Sequence, residues 1–328
     1  MNRPPLRIAI VRLSALGDIV NTAVVLQIIR SNYKDSIIDW FVEEAFAPIL
    51  SGHPLLNEVI PIPLKRIKKQ KSLALLRATI RSLRARESYD HIIDAQGLLK
   101  SAIVTAFLRG PVHGFDYSSA REGIASWFYT TTSTIAYDLN VIKRNVMVIT
   151  QALNISYSDA LIAQKLPVFA CDPSPENEKK IALVIGASWP SKCYPKEHFA
   201  TLCNTLPLPC YLIWGSEAER QDALWIAQHS TNAIVTAKMS LPQLVQFIAN
   251  CDLTIGNDTG PTHIAWAMNR PSITLFGPTN ERMIYPTAIN IAIKSPSVVD
   301  IYHINRNDFS INEIPPEDIA KKALELLC

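Results

Sequence analysis

"IGNDTGPTHIAWAM" (255–268) ends an apolar run with a short acidic turn and then resumes with helical spacing. Pro261 suits the first helical position, because its missing N–H has no partner there in any helix. Asp258 or Thr259 is placed to cap that helix, leaving nearby backbone N–H groups at the positive end of its dipole. Two readings stand side by side: a plain capped strand-to-helix turn, and a cradle for a phosphate. Under either one, the stretch is the strand–turn–helix step from which parallel α/β sheets are built.

The step recurs along the chain. "RIAIVRL" (7–13), "IIDWFVE" (37–43), "VIPIP" (59–63) and "HIIDA" (91–95) read as strands of a first half. Between them, "IVNTAVVLQIIRSNY" (19–33), "SLALLRATIRSLRARE" (72–87) and "LLKSAIVTAFLRG" (98–110) carry apolar residues at helical spacing. The second half offers "IALVIGA", "CYLIWG", "AIVTA", "DLTIGN" and "SITLFG" as strands. "KLPVFACDPSPENEKK" (165–180) interrupts the alternation and marks a domain boundary, while "IPPEDIAKKALELLC" (314–328) reads as a closing helix. The expectation is an α/β protein with two doubly wound halves, binding ligands beyond the carboxyl ends of its strands.

At 328 residues the chain is long enough for two cores. A net charge of +3 is too small to imply a nucleic-acid partner by itself. No apolar run reaches the roughly 18 residues of a spanning helix. The N-terminal apolar run is short, broken by Arg12 and followed by Asp18, so it reads as a first strand rather than a secretion signal, which points to the cytoplasm. Cys171, Cys193, Cys203, Cys210, Cys251 and Cys328 form no CxxC pair and lack zinc-finger histidines. They read as reduced, mostly buried small hydrophobes.

Several strand exits carry chemistry-bearing residues. "RLSALGDIVNT" (12–22) has only Gly17 where a dinucleotide site wants G-x-G-x-x-G, which counts against a dehydrogenase. Asp18 in that stretch is either a helix-capping residue or a general base. "LKRIKKQK" (64–71) concentrates Lys65, Arg66, Lys68, Lys69 and Lys71, as a solvated face or as a site for an anionic substrate or membrane surface. "DAQGLLKS" (94–101) and "DYSSAREGIASWFY" (116–129) put polar and charged residues where packing does not need them, with Arg121 and Glu122 opening an apolar helix. "GASWPSKCYPKEHF" (186–199) sets Lys192 just before a helix begun by Pro195, within reach of phosphates held by the 258–263 turn. Glu219 of "WGSEAER" (214–220) is placed to bond a ribose. The common position of these groups, at strand ends of one half, favours a nucleotide site.

Together these segments, with "FVEEAFAPI", "GFDYSSAREGIASWFY" and "NDTGPTHIA", resemble glycosyltransferase family 9, the ADP-heptose:lipopolysaccharide heptosyltransferases, and within it the heptosyltransferase I group. The resemblance covers nearly the whole chain. It implies a GT-B fold: an acceptor domain over 1–167, a donor domain over 168–312 and a helix over 313–328 packing back on the first. It implies transfer of L-glycero-D-manno-heptose from ADP-L-glycero-D-manno-heptose to the first Kdo of Kdo2-lipid A, on the cytoplasmic face of the anionic inner membrane. Asp18 then matches the base, Lys192 the donor-phosphate lysine and Glu219 the ribose ligand. Asp258, Thr259, Gly260 and His263 match the donor loop, while Arg12, Ser14, Lys65, Arg66, Lys69 and Arg121 fall on the acceptor side. No metal or other cofactor is implied, because Lys192 and the helix N-terminus supply the positive field. Asn140, Tyr194, Pro261 and Thr262 depart from the family's usual His, Trp and Leu-Ser. A heptosyltransferase II, or a non-catalytic binder of nucleotide sugar or anionic lipid, would use many of the same features. The acceptor segments discriminate the former and Asp18 the latter.

Overall fold

The computed structural model describes residues 4–172 and 178–328. The chain divides into two units, Met1–Ala170 and Cys171–Cys328, so the break falls within the expected 165–180 segment, of which 173–177 lie outside the described residues.

The first unit runs β1 (Arg7–Val11), α1 (Leu16–Ala23), α2 (Val25–Asn32), β2 (Ile37–Glu43), β3 (Glu58–Ile62), α3 (Leu64–Gln70), α4 (Leu73–Arg84), β4 (His91–Asp94), α5 (Leu99–Thr105), β5 (Val112–Phe115), β6 (Thr131–Ser133), α6 (Val141–Ala152) and α7 (Ala160–Ala163). The second runs β7 (Ile181–Val184), α8 (Lys196–Thr205), β8 (Cys210–Ile213), α9 (Glu217–Gln228), β9 (Ala233–Val235), α10 (Leu241–Ala249), β10 (Leu253–Asn257), α11 (Gly260–Ala267), β11 (Ser272–Phe276), β12 (Asn290–Lys294) and α12 (Pro316–Leu327).

Each unit is a six-stranded sheet, ordered β3-β2-β1-β4-β5-β6 in the first and β12-β11-β10-β7-β8-β9 in the second. All pairings are parallel. Counted from its own first strand, each sheet has the order 3-2-1-4-5-6, the doubly wound Rossmann arrangement. Strands such as β1 and β10 are buried on both faces because helices cover both sides of a parallel sheet. Ile8, Ala9, Ile10 and Val11 have no exposed surface, and neither do Leu253 and Ile255.

The elements depart from expectation at a few places. The single helix expected over 19–33 is two, joined at Val24, where Gln27 N–H bonds the Val24 carbonyl at tighter, three-residue spacing. The basic run after β3 forms α3, which buries none of its side chains. Strands β5, β6 and β12 extend the sheets beyond the runs legible in the sequence.

The closing helix α12 packs on α8 and against β10 and β11. Ile319, Ala320 and Ala323 enter the second unit's core beside Phe199, Leu202 and Leu275. Among the described residues no helix is long and apolar enough to cross a membrane. The cysteines are free; Cys203, Cys210 and Cys251 are buried, Cys193 is half-buried, and Cys171 and Cys328 are exposed, so burial accounts for half of them.

Candidate active site

In a doubly wound sheet, the loops leaving the first and fourth strands run to opposite faces, and a crevice opens between them at the carboxyl edge. In the first unit that crevice lies between the exits of β1 and β4, in the second between those of β7 and β10. Arg12, Ser14 and Asp18 follow β1, and 95–100 follow β4; Lys192 follows β7, and Asp258 through His263 follow β10.

At the first crevice Asp18 sits in the opening turn of α1. Its Oδ2 accepts the Ala15 N–H at 3.0 Å and its Oδ1 pairs with Arg12 Nη2 at 2.8 Å. Asp18 therefore caps the helix, as one of the two sequence readings has it, while its side chain stays 26% exposed. Arg12 is buried, and its other amino group donates to the Ala95 carbonyl. Ser14 Oγ accepts from Lys100 Nζ and, at 3.3 Å, from Gln96 Nε2. Burial lowers the pKa of the Lys100 ammonium; Glu43 and Asp18 act against that effect, and Arg12 and Lys65 add to it. Arg12, Ser14, Asp18, Lys65 and Lys100 thus gather around one crevice, with Glu43 among them. Behind them Asp94 is fully buried, accepting from the Gln96 N–H at 2.8 Å and the Tyr129 hydroxyl at 2.8 Å. Burial nevertheless raises its pKa.

The other residues expected on the acceptor side lie farther out. Arg66 and Lys69 are exposed on α3, Arg66 pairing with Glu44 at 3.4 Å. Arg121 is exposed in the loop after β5. The apolar helix expected after it is a short 3-10 helix, Gly123–Phe128, because Glu122 turns back to accept the Leu99 N–H at 2.7 Å.

The second crevice is organised by a buried ion pair. Lys192 Nζ meets Asp258 Oδ2 at 2.6 Å, with the two side chains 9% and 3% exposed. Thr279 Oγ1 donates to the same oxygen at 2.9 Å, and His263 Nε2 lies 3.1 Å from Oδ1. Burial pushes the Asp258 carboxyl up, but Lys192 and His263 outweigh it and hold the group well below the usual carboxylate range. Asp258 is therefore a hub that fixes the lysine and the histidine.

Thr259 occupies the cap position of α11 without a side-chain capping bond, and Pro261 is the second helical residue rather than the first. Thr262 instead anchors the turn, its hydroxyl donating to the Asn257 carbonyl at 2.7 Å. The Asn257 amide donates to the Ile185 carbonyl at 2.8 Å and accepts the Tyr194 N–H at 3.0 Å, tying the β7 and β10 exits together. Tyr194 is buried and donates its hydroxyl to the Ile314 carbonyl at 2.7 Å. Glu219 spends Oε2 on the Gly215 and Ser216 N–H groups at 2.6 and 3.1 Å, a capping box for α9. Its carboxyl also lies where a Cβ at Gly186 would be, so any side chain there would have to displace it. Among the described residues, no three His, Cys, Asp or Glu side chains cluster as a metal-binding set.

A model of glycosyltransferase family 9 (heptosyltransferase) matches residues 76–298. The chain belongs to glycosyltransferase family 9. It is 38% identical to lipopolysaccharide heptosyltransferase 1 of Campylobacter coli, covering 98% of this chain and 99% of that one. Against lipopolysaccharide heptosyltransferase 1 of Escherichia coli K12 the identity is 32%, over 85% and 90% of the two chains. Among solved structures, E. coli heptosyltransferase WaaC with ADP-2-deoxy-2-fluoro heptose aligns with a TM-score of 0.80 at 26% identity, over 98% and 99% of the chains. The two Rossmann-like units are those of a GT-B glycosyltransferase.

Within this family 9 chain, geometry adds residues that motif reading passes over. Lys100 reaches Ser14 from α5, and Thr279 reaches Asp258 from the loop after β11. The Trp189 ring meets two cations, Lys192 Nζ at 5.1 Å and the Arg306 guanidinium at 4.9 Å from its centre. Of the departing residues, Asn140 caps α6, accepting the Ile142 N–H at 3.0 Å. That role explains an asparagine there without reference to any ligand.

Proposed function

We propose that the protein is an inverting heptosyltransferase that moves L-glycero-D-manno-heptose from ADP-heptose to the first Kdo of Kdo2-lipid A. The observation that carries this reading is the match, across nearly the whole of both chains, to lipopolysaccharide heptosyltransferase 1 of C. coli. In this reading Asp18 takes the proton from the acceptor hydroxyl as its oxygen bonds to the anomeric carbon. The bond from that carbon to the diphosphate oxygen breaks on the opposite face, and ADP leaves with the electron pair. Lys192 and the N-terminus of α11 meet the charge that builds on the departing diphosphate. Asp258 and Thr279 hold Lys192 in place, and Glu219 faces the nucleoside.

The test is direct: purified protein, ADP-heptose and Kdo2-lipid A should yield ADP and a lipid heavier by one heptose. ADP release without a heavier lipid would sink the acceptor assignment. Because the positive field comes from Lys192 and a helix end, a chelator should leave the rate unchanged. Full inactivation by EDTA, reversed by one divalent cation, would move that role to a metal.

The basic helix α3 has its own expected signature. If Lys65, Arg66 and Lys69 serve the acceptor's phosphates and carboxylates, replacing all three by Gln should raise the acceptor KM sharply and leave donor affinity alone. Exposed charges are screened beyond roughly 8–10 Å at moderate salt. Acceptor KM of the wild type should therefore rise with salt, and the triple variant should lose most of that dependence. An unchanged KM at low and high salt would return α3 to a merely solvated face. Binding at the anionic cytoplasmic leaflet belongs to the same proposal, since the acceptor is lipid-borne.

A further inference from the structure

A second surface of the first unit adjoins the crevice at the start of α5. The 3-10 helix Gly123–Phe128 buries only Ala125, leaving Ile124, Trp127 and Phe128 49, 75 and 39% exposed. It packs on α5, whose Leu99 and Ile103 share one outer face at i, i+4 and are also exposed. Tyr117, 64% exposed, closes the group: its carbonyl and ring lie so close to Gly123 that a Cβ there would come within 2.7 Å. The Leu99–Glu122 hydrogen bond, with Glu122 N–H bonding the Gly97 carbonyl at 3.2 Å, fastens helix and loop into one surface. Scattered exposed apolar residues are ordinary; six adjoining ones, with a tryptophan and a tyrosine among them, mark a contact surface.

The charge around this surface selects the partner. Arg121 and Lys100 flank it in sequence, and Lys65 is an electrostatic neighbour of Lys100. The nearby carboxylates are engaged in local hydrogen bonds. Glu122 is held by the Leu99 N–H, and Asp116 accepts from Ser118 and from the Ser119 N–H at 2.9 and 2.8 Å. An apolar, aromatic centre with a cationic rim complements a bilayer of anionic lipids. Tryptophan and tyrosine settle at headgroup level, and the cations meet the phosphates.

We propose that Tyr117, Ile124, Trp127 and Phe128, with Leu99 and Ile103 of α5, insert into the interface of an anionic phospholipid bilayer. The choice of a bilayer over a protein partner rests on the proposed lipid-borne acceptor. It also makes a claim that the transferase reading does not: that this face, and not the basic helix α3 alone, sets membrane affinity.

The experiment uses the full chain and vesicles of phosphatidylcholine with one-quarter phosphatidylglycerol. The wild type should co-sediment with them, bind pure phosphatidylcholine far less, and lose tryptophan emission when the acyl chains are brominated. Ile124→Ser/Trp127→Ser should bind roughly tenfold or more weakly, from the apolar area kept in water, with an unchanged unfolding transition. Its turnover on an acceptor stripped of acyl chains should match the wild type. Undiminished vesicle binding by the variant, or wild-type binding without bromine quenching, overturns the proposal. So does a variant that fails equally on the acyl-free acceptor, which would place these residues in the sugar site, or a wild type that self-associates through this face. If the wild type bound vesicles as expected but transferred no heptose, the transferase reading would fail while the surface stood.

Discussion

Replacing Asp18 by Asn is expected to slow heptose transfer by roughly 10²–10⁴-fold, the usual contribution of a positioned general base, with donor affinity little changed. The substitution isolates the charge. An asparagine oxygen still accepts the Ala15 N–H that Asp18 Oδ2 now holds at 3.0 Å. What is lost is the anion opposite Arg12, whose side chain is only 8% exposed. Some thermal stability should go with it, because a buried guanidinium then faces a neutral partner. Turnover and melting temperature therefore separate the two roles of the residue. A variant that melts earlier but turns over normally would leave Asp18 as a helix cap and ion-pair partner, and the base would have to be sought elsewhere.

The second large effect belongs to Lys192. Lys192→Ala should weaken ADP-heptose binding and lower kcat by roughly 10²–10³-fold, the scale for removing one group that meets developing charge. It should also destabilise the second unit by about 3–5 kcal/mol, because Asp258 is left buried and unpaired. The double variant Lys192→Met/Asp258→Asn removes both charges and should recover much of that stability without recovering turnover. The acid limb offers an independent check. The Asp258 carboxyl is held below its ordinary range in the fold, so its contribution is fully present above the unfolded value near 4. That contribution is lost as the pH falls from there toward the depressed folded value. Without Lys192 the carboxyl loses its main cation, and the acid unfolding limb should become shallower. Full donor affinity and turnover in a folded Lys192→Ala protein would remove the lysine from the mechanism.

What could be seen in the sequence followed burial. The central strands β1, β2, β10 and β11 are mostly apolar and almost wholly buried because both of their faces are covered, with Asp39, Thr254 and Thr274 buried among the apolar residues. Edge strands lose that signature: β6 is Thr131, Thr132 and Ser133 with both threonines exposed, and β12 buries Asn290 while exposing Ala292. Helix α3 was legible as charge but not as a helix, since it buries nothing and so needs no apolar period. At the second crevice, strand exits and residue types pointed to the loops that the ion pair joins. The pairing did not, because Lys192 and Asp258 are 66 positions apart and meet only when β7 and β10 lie side by side. The Glu219 capping box is the converse case. Ser216 three residues before a glutamate is a local signal visible in the sequence, and reading the glutamate for its ligand chemistry alone passed over it.

The placement of α12 bears on the order in which the protein comes into being. Each unit is a continuous piece of chain, so residues up to Ala170 can collapse while the rest is still on the ribosome. The second core is different, because Ala323 belongs to it and the Tyr194 hydroxyl rests on the Ile314 carbonyl. At about 5–20 residues per second, residue 323 is added roughly 8–30 s after residue 170. The nascent second sheet therefore waits with the groove for α12 uncovered, and the loop carrying Lys192, already tied to β10 through Asn257, gains its further tether at Ile314 only as the last segment arrives. The second core is in this sense a late property of the polypeptide, completed by its last helix.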